Sequence, residues 1–198
     1  MFPRRHPGTS LYNQVIAELL LQRTRAEVVA SRLPVLLSLT PDWDALASTP
    51  EKDMEHVLKP LGLWRRRAAS LRRLAAEVSS AGGKLPKTRE ALEQLPGVGQ
   101  YMANAILVIQ NVQPAPYLDT NMARVLERHF GPRQLSDIRY DPMLQRVAHK
   151  ITNSKQSRAI NWAILDFSAI VCKIRSPKCP SCPVRRTCDY YRSSETKS

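Results

Sequence analysis

Cysteine is missing from the first 171 residues of this 198-residue chain, and aromatic residues make up only 6% of it. So few rings count against a recognition module that stacks single-stranded bases on aromatic side chains. No apolar run is long enough to span a bilayer, since the one at Ile16–Leu21 is short and interrupted by Glu18. No stretch sustains the period-two alternation of a half-buried strand, which leaves an all-α reading. Internal repeats are also lacking, so a solenoid is not expected. Acidic residues are scarce: 17 Asp and Glu stand against 30 Lys and Arg, for a net charge of +13. That imbalance does not choose a fold, but it argues for a polyanionic partner.

What is present suits a compact helical protein. Hydrophobic residues reach 43%, and the length suffices to bury a core. Residues 1–9, MFPRRHPGT, read as a basic, irregular lead-in. Ser10 is placed to cap a helix that runs on through Leu39, with a break expected near Pro34. Short helices are expected at Asp42–Ser48 and from Pro50, followed by a turn at Lys59–Trp64. The segment from Arg65 to Ser80 reads as a basic amphipathic helix stopped by Gly82 and Gly83. Further helices are expected at Thr88–Leu95, Gln100–Gln110, from Asp119 or Thr120 to Phe130, at Met143–Thr152 and at Arg158–Ile170.

Two clusters carry chemistry. In Leu95-Pro96-Gly97-Val98-Gly99, two glycines remove side chains where backbone approaches closely, and Val98 can plug the joint between helices. The N–H groups that open the next helix then suit a phosphate oxygen, although a plain helix–glycine–helix corner reads the same way. The second cluster is Cys172-x6-Cys179-x2-Cys182-x5-Cys188. Four thiolates suit either zinc or a [4Fe–4S] cluster, and the spacing leaves both open. Asp119 reads first as a helix N-cap, Tyr101 as packing on an apolar helix, and Glu18 as an acid sharing a stripe with Val15 and Gln22.

Taken in order, these segments resemble the helix-hairpin-helix DNA glycosylase superfamily. The branch is that of endonuclease III, adenine-DNA glycosylase and the compact T:G-mismatch thymine-DNA glycosylases, the last being the nearest. AELLLQRT, KPLGLWRRRAASLRRLA, LPGVGQYMANAIL, YLDTNMARVLERHFG and LDFSAIVCKIRSPKCPSCPVRRTC carry the likeness, which covers roughly residues 12–191. It implies a two-lobed fold: a six-helix lobe over residues 24–132 holding the hairpin, and residues 1–23 with 133–198 forming a lobe with an iron–sulfur module. The catalytic cleft is expected between them.

The same resemblance assigns residues. Asp119 falls at the catalytic aspartate, and Glu18 at the glutamate that protonates the base in adenine-DNA glycosylase. Tyr101 stands where bifunctional relatives carry a Schiff-base lysine, which implies a monofunctional enzyme, since a phenol forms no imine. Gln22 and Leu63 resemble the residues that fill the duplex once a base is extruded, with Arg23 beside them contacting guanine or phosphate. Gly97, Val98 and Gly99 are expected to meet the backbone of the DNA. Arg65, Arg66, Arg67, Arg72 and Arg73 are expected to supply phosphate contacts.

Cys172, Cys179, Cys182 and Cys188 are expected to hold a [4Fe–4S] cluster, in a basic clip facing double-stranded DNA. Thymine or uracil opposite guanine is the expected substrate. LDTN departs from the LDGN-like pattern of adenine-DNA glycosylase, and no lesion-reading domain is read after the cysteines. Adenine opposite guanine or oxidised guanine is the alternative enzyme reading, and a noncatalytic DNA-binding protein of the same fold is the other. A monomer in the cytoplasm, associated with the nucleoid and not with a membrane, completes the expectation.

Overall fold

The structure, a computed structural model, describes residues 8–195, so residues 1–7 of the basic lead-in lie outside the described residues. All regular structure among the described residues is helical: eleven α-helices and three short 3₁₀ turns. No helix among them is long and apolar enough to cross a membrane. The chain divides into two compact units at Val112–Gln113.

The first unit contains α1 (Leu11–Leu21), α2 (Ala26–Leu39), α3 (Trp43–Ser48), α4 (Glu51–Leu58), α5 (Trp64–Ser80), α6 (Arg89–Glu93) and α7 (Gln100–Ile109). Local capping explains where several begin. Ser10, Asp42 and Thr88 accept the amides of Asn13, Ala45 and Ala91, three residues on. One apolar core draws on α1 to α7, with Ile16, Leu20, Leu36, Leu58, Leu92, Met102 and Ile106 fully or almost fully buried. The Tyr12 ring meets Trp43 edge-on at 4.9 Å, and its hydroxyl donates to the Thr40 carbonyl at 2.6 Å.

The expected break near Pro34 is not there. Pro34 lies inside α2, and the chain breaks instead at Gln22–Arg25. The cause is a side chain from α5. The guanidinium of Arg67 takes the carbonyls of Leu19, Leu20 and Gln22, satisfying the helix end that α1 would otherwise leave open.

The second unit contains α8 (Thr120–Phe130), α9 (Pro142–Thr152), α10 (Ser157–Ile170) and α11 (Asp189–Glu195), with two 3₁₀ turns between the last two helices. The sequence reading did not include α11. Asn161 of α10, fully buried, accepts the Tyr117 amide at 2.6 Å and donates to the Ala115 carbonyl at 2.9 Å. It thereby fixes the extended approach to α8.

Asp141, also fully buried, caps α9 through Leu144 and accepts the amides of Gln134 and Leu135. Burial pushes its carboxyl up, but the Leu144, Leu135, Gln134 and Met143 amides outweigh it and hold the group below the usual carboxylate range. Its contribution to stability is therefore present above the unfolded-state value and lost as pH falls through the folded one. Asp141→Asn should melt at a lower temperature near neutrality, and the gap from the parent should narrow as pH falls below the unfolded-state carboxylate value of about 3.9. A gap that stays constant in melts across that range would rule the charge out as its cause.

Candidate functional site

In the first unit, α6 and α7 are joined by Leu95–Gly99. Val98 is buried and its amide donates to Leu95, so it plugs the joint as expected. The two glycines serve different ends. Gly97 has φ +78°, and a Cβ there would lie 2.6 Å from Ser70 Oγ, so only glycine fits between the hairpin and α5. Gly99 is extended, with open space where a Cβ would be. As the N-cap of α7 it brings no side-chain acceptor to the helix start, leaving that end suited to an anion.

Tyr101 lies in the first turn of α7, and its hydroxyl donates to Glu18 Oε2 at 3.1 Å. Glu18 is only 1% exposed in the middle of α1. The surface explanation for this acid is thus excluded: a carboxyl group has been taken out of water and set against a phenol. Gln22 does not share its surroundings. It lies beyond the end of α1, exposed, where the broken helix turns its chain away.

An open groove of about 770 Å³ is bordered by Gln22, Arg23, Leu63, Arg66, Arg67, Ser70, Arg73, Pro96 and Gly97. Of the residues expected at a duplex, Gln22, Arg23, Leu63, Arg66, Arg67, Arg73 and Gly97 therefore share one surface of this unit, while Val98, Gly99, Arg65 and Arg72 do not border it. Leu63 is 61% exposed and left-handed, with φ +49°, and Arg23 is left-handed too. An apolar side chain held out in water by strained backbone is poorly explained by core packing.

The basic run behaves less uniformly than expected. Arg65 stacks on Trp64 at 4.3 Å, and Arg72 pairs with Glu51 at 3.7 Å. Arg67 turns inward, and burial pushes its guanidinium below its ordinary value. Arg66 and Arg73 remain at the groove.

In the second unit, Asp119 does cap α8: Oδ1 accepts the amides of Asn121 at 2.9 Å and Met122 at 2.8 Å. Its other oxygen, Oδ2, accepts from the Asn121 side chain at 2.8 Å. Asn121 is held in turn by Arg124, whose guanidinium also reaches the carbonyls of Ser168 and Cys172, each at 3.1 Å. A half-buried carboxylate is thus fixed in orientation by a chain of charge-assisted hydrogen bonds that ends at the first cysteine. Sequence reasoning missed Arg124. Its i, i+3 spacing from Asn121 was the available signal, but its partners on α10 were not visible.

The four cysteines are free of disulfides and border one cavity of about 40 Å³ with Val125, Phe167 and Val171. Arg128, one turn along α8 from Arg124, donates to Cys172 Sγ at 3.4 Å and to the carbonyls of Lys173 and Ile174. The Cys188 thiol donates to the Arg128 carbonyl at 3.2 Å. Burial, then neighbouring Cys188, Cys182 and Cys172, pushes the Cys179 thiol up, with Arg128 opposing. Among the described residues, no three His, Cys, Asp or Glu side chains form a group able to hold a metal ion.

Residues 16–157 match the model of the HhH-GPD superfamily base excision DNA repair proteins. The chain belongs to that family. Its HhH-GPD match takes in Glu18, Gln22, Leu63, the hairpin, Tyr101 and Asp119, and stops short of the four cysteines. The HhH-GPD chain is 33% identical over 183 residues to a thymine-DNA glycosylase of Aeropyrum pernix, covering 90% of this chain and 82% of that one. It is 32% identical over 197 residues to a thymine/uracil-DNA glycosylase of Methanothermobacter thermautotrophicus, covering 98% and 88%. The solved structure of a thermostable thymine-DNA glycosylase superposes with a TM-score of 0.89 at 32% identity, covering 98% of this chain and 89% of that one. The all-helical expectation and the family resemblance both hold.

Proposed function

We propose that this protein is a monofunctional DNA glycosylase of base excision repair that removes thymine or uracil paired with guanine. The observation that carries the reading is the hydrogen bond between Tyr101 and buried Glu18. A phenol stands where bifunctional members of the resembling family carry an amine, so no imine with the deoxyribose can form. The matched thymine and thymine/uracil enzymes support the choice of base.

In this reading the lobes are residues 24–132, and residues 1–23 with 133–198. The enzyme extrudes the base, and Leu63 and Gln22 enter the stack it leaves. As the N-glycosidic bond breaks, its electron pair leaves with the base and positive charge develops on the sugar. The fixed carboxylate of Asp119 stabilises that charge and orients a water. The water oxygen bonds to the sugar carbon, and one proton passes to the departing base, leaving an abasic site. Glu18 and Tyr101 bind and orient the base. Gly97, Val98, Gly99, Arg23, Arg66 and Arg73 meet the DNA.

The chemistry of the donor set supports a [4Fe–4S] cluster in this reading: four cysteines free of disulfides border one cavity, though they are not drawn together into a metal-holding group, and an arginine N–H faces one of the sulfurs. Cys172, Cys179, Cys182 and Cys188 would hold it. When bound, it supplies a cross-link that orders the C-terminal loops. Visible absorption with equimolar iron and sulfide is the expected signature, and zinc in its place would overturn it.

Duplexes carrying T:G, U:G, A:G and A:oxidised-G pairs test the function, each analysed with and without alkali. Release is expected from T:G and U:G, with strand breaks only after alkali. Breaks without alkali would overturn the reading of Tyr101, and release of adenine alone would reverse the choice of base. Tight binding without any release would leave a noncatalytic DNA-binding protein.

A further inference from the structure

Arg67 does more than close the end of α1, and the proposed chemistry does not use it. Its Nε donates to the Gly62 carbonyl at 3.1 Å. Nη1 reaches the carbonyls of Leu19 at 3.3 Å and Leu20 at 3.4 Å. Nη2 donates to the Gln22 carbonyl at 2.6 Å and to Thr24 Oγ1 at 2.7 Å. These are five acceptors for a side chain with five N–H donors, so its capacity is spent inside the protein. The Thr24 hydroxyl extends the bridge to the Leu61 carbonyl at 3.4 Å.

The segments so joined lie some 40 residues apart in sequence, and each carries a left-handed residue that is not glycine, Arg23 in one and Leu63 in the other. Such backbone persists only where its surroundings over-determine it. Arg67 holds Gln22 by its own carbonyl and Leu63 by the carbonyl immediately before it. Meanwhile the side chains of Gln22 and Leu63 border the same groove.

We propose that Arg67 is a positioning residue that locks Gln22 and Leu63 into one two-pronged wedge, so that it governs extrusion of the base from a paired duplex and not phosphate binding or bond cleavage. The inference rests on the proposed role of those two residues at the duplex. A rigid wedge enters the stack without first having to order two loops, and this advantage matters only while a base pair must be broken. Lysine, with three donors on a point charge, can restore part of the clasp but not its fork.

The test compares the parent protein with Arg67→Lys, Arg67→Met and Thr24→Val, the last removing a single acceptor at nearly constant volume. Three readouts are taken: thymine release in a single turnover, fluorescence of a 2-aminopurine beside the thymine as it unstacks, and the salt dependence of binding. Release is measured from a T:G duplex and from one in which an abasic analogue replaces the guanine. Arg67→Met should slow unstacking and release from T:G about tenfold or more, with a much smaller loss where no pair is broken. The other two variants should fall between it and the parent.

The salt slope should not change. A slope shallower by about one would mean a phosphate contact and overturn the proposal. Equal losses on both duplexes, or no loss, would overturn it too. Gln22→Ala and Leu63→Ala separate the two levels. If they leave the aminopurine signal intact, the wedge reading itself fails; if they abolish it while Arg67→Met does not, only the role of Arg67 fails. Should the parent release no thymine, the proposed substrate fails, and the aminopurine signal still reports on Arg67.

Discussion

Asp119→Asn is expected to lower single-turnover thymine release about 100- to 1000-fold, with DNA affinity changed by less than about threefold. The substitution is informative because Asp119 caps α8 and, in the proposed function, also faces the sugar. Its Oδ1 caps α8 by accepting the Asn121 and Met122 amides, and asparagine is as good an N-cap as aspartate. The amide oxygen can therefore keep the helix start, and stability in a melt should fall only by what the lost hydrogen bond from the Asn121 side chain contributes, about 1 kcal/mol. What is lost is the negative charge opposite the developing oxocarbenium ion. Asp119→Ala removes the cap as well and should add a stability loss of about 0.5–2 kcal/mol. Release that survives the asparagine change would reduce Asp119 to a cap. A loss confined to the alanine variant, tracking its melting temperature, would say the same.

The capping role of Asp119 also marks how far the sequence could be read. Helix starts were legible where the instruction is local: Ser10, Asp42, Thr88 and Asp119 each accept an amide within three residues of themselves. The hairpin was legible as well, because Val98 and the left-handed Gly97 are dictated within five residues. Where the deciding partner came from a distant segment, local pattern misled. Pro34 looked like the natural break, but Arg67 ends α1 earlier, from more than 40 residues away. The same side chain looked like a phosphate ligand because a run of arginines on an amphipathic helix carries no sign of which one turns inward. The stripe of Val15, Glu18 and Gln22 assumed a helix that continues, and the helix stops one residue short of Gln22. Glu18 was singled out correctly as an anomaly in an apolar run, yet only the fold supplies its phenol partner, 83 residues on. Asn161 carried no signal of its own, since it acts on the backbone of Tyr117 and Ala115. Arg124 carried only its i, i+3 spacing from Asn121, with its carbonyl partners at Ser168 and Cys172 invisible in the pattern.

Arg124→Met is expected to reduce thymine release about 100-fold while changing KM little, because the contact that holds Asn121 against the proposed catalytic carboxylate and the two that anchor Arg124 itself are lost together. Arg124 does not touch Asp119. It fixes Asn121 Oδ1 at 3.1 Å, which turns the Asn121 amide toward Asp119 Oδ2, and it is itself held by the Ser168 and Cys172 carbonyls. Without it the Asn121 side chain can rotate, and one carboxylate oxygen loses its donor just where direction matters for stabilising charge on the sugar. A role of this kind shows itself in coupling. In a cycle with Asp119→Asn the two losses should fall far short of adding, since once the charge is gone its orientation no longer counts. Arg124→Lys should rescue little, because one ammonium cannot span Asn121, Ser168 and Cys172 at once. Losses that add in full would separate Arg124 from Asp119 and assign its effect to the cysteine loop. That alternative has its own signature if the proposed cluster is present, faster loss of its iron from the variant, because the Cys172 carbonyl is the other end of the same chain of contacts.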